Sequence, residues 1–73
     1  MNNTAGSSLE RARRHVDEAE RRVAEQRSRI DTLRHDQHDT TEAEKVLETF
    51  EDALAVMRKH LALEESERRE REP

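Results

Sequence analysis

Two histidines and two aspartates crowd the five positions His35-Asp36-Gln37-His38-Asp39, the stretch of the chain whose residue types most resemble a metal site. Imidazoles three apart reach one face of a helix, and Asp36 and Asp39 would add the oxygens of an exposed zinc or nickel site. The local pattern works against that use. A helix is predicted to end between the two histidines, a four-residue link cannot easily turn all its side chains inward, and Asp39 suits the cap of the next helix. The stretch reads as a polar turn, with His35 and His38 kept as the metal candidates.

His15 and His60 fall opposite each other in a chain folded back near residue 38. Such a pair could sense pH, since histidine changes charge near neutrality, or hold a metal between helices. The simpler reading makes each an amphipathic residue bordering a core. No nucleophile stands beside a base, and Gly6 is the sole glycine, which leaves no glycine-rich phosphate loop. No catalytic or cofactor-binding residue and no cofactor are expected, and the chain does not read as an enzyme.

The elements around these residues are written as heptads. Leu9, Val16, Val23 and Ile30 recur every seven residues, with Ala12, Ala19, Gln26 and Leu33 three positions after each. A second pattern sets Leu47, Leu54 and Leu61 beside Ala43, Phe50 and Met57, and Val46 and Ala53 widen its stripe. The first helix is expected over about 8–36, opened by a Ser7–Glu10 capping box. The turn is expected over about 36–40 and the second helix over about 41–66, capped by Thr40 or Asp39, with capping-box spacing at Asp39–Glu42 and Thr41–Glu44. Residues 1–6 read as a disordered start and 67–73 as a charged, fraying tail.

A short link between two long helices predicts an antiparallel, coiled-coil-like hairpin. Charge supports the same register. Residues 1–38 carry eight arginines against seven acids, and residues 39–73 carry six basic residues against eleven acids, so the halves are +1 and −5. Around residue 39 the flanking pairs Arg34–Glu44, Arg27–Glu51, Glu20–Arg58 and Arg13–Glu65 are all opposite in sign. At up to ~1 kcal/mol each, exposed pairs of this kind choose an orientation more than they stabilise it.

One hairpin holds too little apolar side chain to stand alone. Only 30% of the 73 residues are hydrophobic, one is aromatic and none is cysteine, so neither a large core nor disulfides can staple the fold. The first helix has a thin stripe, the second more apolar width than that stripe covers. Self-association is the remaining staple, and a homodimer forming a four-helix bundle is expected. The core and interface are assigned to Val16, Val23, Ile30, Leu33, Val46, Leu47, Phe50, Leu54, Met57 and Leu61, with Val56 and Leu63 as a further contact.

Other partner classes fit poorly. The basic cluster Arg11, Arg13, Arg14, Arg21 and Arg22 is interrupted by acids and lacks an aromatic for base stacking, and the net charge is −4, which argues against nucleic acid. No apolar run approaches the ~20 residues of a membrane span, and MNNTAGSS lacks the marks of a signal peptide. A cytoplasmic protein is expected.

The residues His15-Val16, Glu20-Arg21-Arg22, Gln26, Ile30, Leu33, His38-Asp39-Thr40, Ala43, Leu47, Phe50, Leu54 and His60 give the chain a resemblance, over about residues 9–62, to short uncharacterised alphaproteobacterial proteins with a His-Asp-Thr turn. That family tends to place a glycine before the His-Asp-Thr triplet, where it closes the first helix. Gln37 stands there in this chain, which predicts a looser turn or a longer first helix. The resemblance implies a bacterial helical hairpin and carries no activity. The sequence therefore reads as an all-α structural or protein-interaction module acting through helix–helix association. The alternative is a small metal- or pH-responsive regulator using His35 and His38, or His15 and His60.

Overall fold

The computed structural model describes residues 4–71 and consists there of two helices, α1 (Thr4–His35) and α2 (Thr41–Arg71), folded back on each other. The all-α hairpin expected from the heptads is the observed architecture. Its extents are 57 × 20 × 14 Å, one helix deep and two helices wide.

Both helices outrun their expected limits. The chain is already helical at Thr4, so the Ser7–Glu10 box does not mark the start, and residues 4–6 are helix where disorder was expected; residues 1–3 lie outside the described residues. Adding a residue to an existing helix gains a hydrogen bond without a new nucleus, and Gly6 opposes this by only about 1 kcal/mol. At the other end α2 runs to Arg71, past its expected limit near residue 66; residues 72–73 lie outside the described residues. The tail has work to do at the far end of the hairpin. Leu9 is buried in a groove it shares with Arg13, Glu65, Arg68 and Arg69. The Glu67–Arg71 pair at 3.8 Å and three arginines in the last turn add the charge order that a helix C-terminus favours.

The turn is tight. The His38 amide donates to the Leu33 carbonyl at 2.8 Å and the Gln37 amide to the Arg34 carbonyl at 3.0 Å, the paired bonds of a Schellman closure. Gln37 takes the left-handed conformation this requires, with φ of 62°. The looser turn or longer helix expected from a missing glycine is thus corrected: glutamine adopts the strained geometry itself. The left-handed region costs a residue with a Cβ about 1–2 kcal/mol. Gln37→Gly should raise stability by about 1 kcal/mol, seen as a higher midpoint in urea with an unchanged denaturant slope.

Helix α2 starts from Thr40, whose carbonyl accepts the Glu44 amide at 2.9 Å. Asp39, one residue earlier, accepts through Oδ1 from the Thr41 amide at 2.9 Å and the Thr41 hydroxyl at 2.7 Å. Both candidate caps are used, one by its backbone and the other by its side chain. Glu44 instead receives the Thr40 hydroxyl at 2.7 Å and Arg34 at 2.9 Å through Oε2, which ties the turn to the end of α1.

The hydrogen bonds from Thr41 hold the Asp39 carboxyl below its ordinary pKa. A carboxylate favoured in this way stabilises the fold above its unfolded pKa, and that contribution disappears as pH falls through the lower folded value. Wild type should therefore melt above Asp39→Ala near neutrality, with the gap closing below about pH 4. Thermal melts of both proteins across pH 2–7 check this, because the other acids titrate in each.

Candidate functional site

Three cross-helix ion pairs fix the register. Arg34 meets Glu44 at 2.9 Å, Arg27 meets Glu51 at 2.9 Å and Arg58 meets Glu20 at 3.2 Å, so three of the four expected pairs form. Arg13 and Glu65, the fourth, line one groove together. All members of the formed pairs are well exposed, so each contributes at most ~1 kcal/mol, but together they occupy one flank of the hairpin.

The other flank is apolar. Successive residues in a heptad helix turn by about 103°. With Leu47, Leu54 and Leu61 turned toward α1, the paired Glu44, Glu51 and Arg58 lie about 51° to one side. On the opposite side come Ala43, Phe50 and Met57 at about 51°, Val46, Ala53 and His60 at about 103°, and Thr49, Val56 and Leu63 at about 154°. Helix α1 covers the first part of this sector and leaves the rest. Val46, Val56 and Leu63 are 41%, 47% and 57% exposed, and Phe50 and Met57 are half-buried. Between the helices runs a groove of about 180 Å³ lined by His15, Glu18, Ala19, Arg22, Phe50, Ala53 and Met57.

The assigned core divides accordingly. Val16, Val23, Ile30 and Leu54 are buried, and Leu33, Leu47, Phe50, Met57 and Leu61 are half-buried. Val46, assigned with them, is exposed in the hairpin because α1 does not reach that side of α2. Leu9, Ala12 and Gln26 are buried as well, although the assignment omitted them; their heptad positions were the available signal. Gln26 is accommodated because its Nε2 donates to the Ala43 carbonyl at 2.8 Å, so this polar group is not orphaned.

The histidines are dispersed. His35 ends α1 and His38 lies in the turn, both exposed, and Asp39, a possible third ligand, is committed to Thr41. His15 lines the groove, and His60 is exposed one turn beyond Met57. Among the described residues no three His, Asp or Glu side chains gather where they could hold a metal ion, and no helix is long and apolar enough to cross a membrane. Compared with protein-family models, with curated proteins and with solved structures, the chain matches none.

Proposed function

We propose that the chain is a cytoplasmic, non-enzymatic protein-interaction module that works by helix–helix association, pairing with itself into a four-helix bundle and offering its charged outer faces to a protein partner. One observation supports this reading above the rest: the ion pairs close one flank, while the exposed Val46, Val56 and Leu63 all fall on the other, continuous with Phe50 and Met57. Scattered surface apolar residues are ordinary; a contiguous sector joined to the core is the kind of surface proteins use for contact. An amphipathic helix in an apolar groove is the recognition mode it suits.

Sedimentation equilibrium at micromolar concentration tests the reading. A particle of twice the 8.6 kDa chain mass is expected, and a compact, stable monomer at every concentration would refute self-association.

A further inference from the structure

Resting on that reading, we infer that the apolar flank is closed by a second, antiparallel copy of this chain, α2 over α2 and α1 over α1, about a twofold axis at Ala53, with the two turns at opposite ends. The amount of exposed surface points to a partner of this size. A compact monomer of 8.6 kDa exposes roughly 4,700 Å². This chain exposes 5916 Å², an excess of about 1,200 Å² over that value, against the ~800 Å² that each partner contributes to a standard interface. The radius of gyration is 16.8 Å where about 11 Å is usual for this length, and a second layer on the 14 Å dimension supplies the missing depth.

The residues along the sector fit their own reversed copy. With Ala53 on the axis, Ala53 faces Ala53, Phe50 comes level with Met57 of the second copy, Thr49 with Val56, and Val46 with His60, each to within one residue along the helix. The smallest side chain sits where the helices approach most closely, and the bulky aromatic meets the adaptable thioether.

The chain contains no cysteine, so single cysteines report the arrangement. At an interaxial distance of about 9 Å, two Cα atoms on the facing sides are about 4–5 Å apart, within reach of a disulfide. With oxidised glutathione, Ala53→Cys should give on the order of tenfold more linked dimer than Ala55→Cys, a residue on the ion-paired side. Mixed Val46→Cys and His60→Cys proteins should link to each other, and Val46→Cys alone should not. A dimer by sedimentation that links no better through Ala53 than through Ala55, or that links Val46 to Val46, overturns this arrangement and leaves self-association standing. A monomer overturns both.

Discussion

Leu54→Ala should leave the hairpin largely unfolded at room temperature. Leu54 is the buried residue of α2 among those described, 8% exposed, and it packs with Val16 and Val23 at the centre of the core. Truncating a buried leucine to alanine costs about 2–5 kcal/mol, depending on how far the neighbours collapse into the space. Two rigid helices held in register by ion pairs at both ends of the gap have little room to collapse. At 0.05–0.15 kcal/mol per residue, a chain this short has roughly 4–11 kcal/mol to lose, and an elongated one with a narrow core belongs at the lower end. Circular dichroism at 222 nm should show most of the helix signal gone at low micromolar concentration. Because a second copy stabilises the folded chain by mass action, raising the protein concentration should restore part of the signal. Leu63→Ala, on a residue 57% exposed, should change the hairpin itself little.

The hairpin, its register and its turn were legible because each is set by local chemistry or by a simple symmetry. The turn was marked by Asp39 and Thr40, whose side chains favour caps, and the register by charges equidistant from residue 39, of which three pairs form. Helix limits were less legible. No apolar periodicity over residues 64–71 sets where α2 ends, and the groove that Glu65, Arg68 and Arg69 share with Leu9, more than fifty residues away in the chain, exists only in the fold. Gln26 is a polar residue at a heptad core position, and its role depends on an acceptor, the Ala43 carbonyl, that only the folded register brings near. Gln37 shows the reverse case. Residue type disfavours a left-handed backbone there, yet the bonds from His38 to Leu33 and Gln37 to Arg34 outweigh the preference. The candidate surface was half legible. Its apolar residues were in the heptads, but that the ion pairs and the leftover apolar residues lie on opposite flanks follows only once the helices are placed side by side.

That asymmetry gives a substitution whose effect on the hairpin and on its association should differ most. Ala53 is exposed in the single hairpin, beside Phe50 and Met57, so Ala53→Glu removes no buried contact and exchanges one good helix former for another, a change of a few tenths of a kcal/mol. In a dimer with its axis at Ala53 the same change puts two carboxylates face to face in an apolar seam. Like charges brought together and cut off from water cost several kcal/mol. The dimer should weaken by about three orders of magnitude, roughly 4 kcal/mol. The matched substitution Ala55→Glu, on an exposed alanine of the other flank, should leave association nearly unchanged. Sedimentation across a hundredfold range of concentration separates the two proteins, and circular dichroism at each concentration follows the helix content that association supports. Equal weakening by both substitutions would mean that the charge added to an acidic helix, rather than its place on the apolar flank, governs association; no weakening by either would mean that the two copies meet elsewhere.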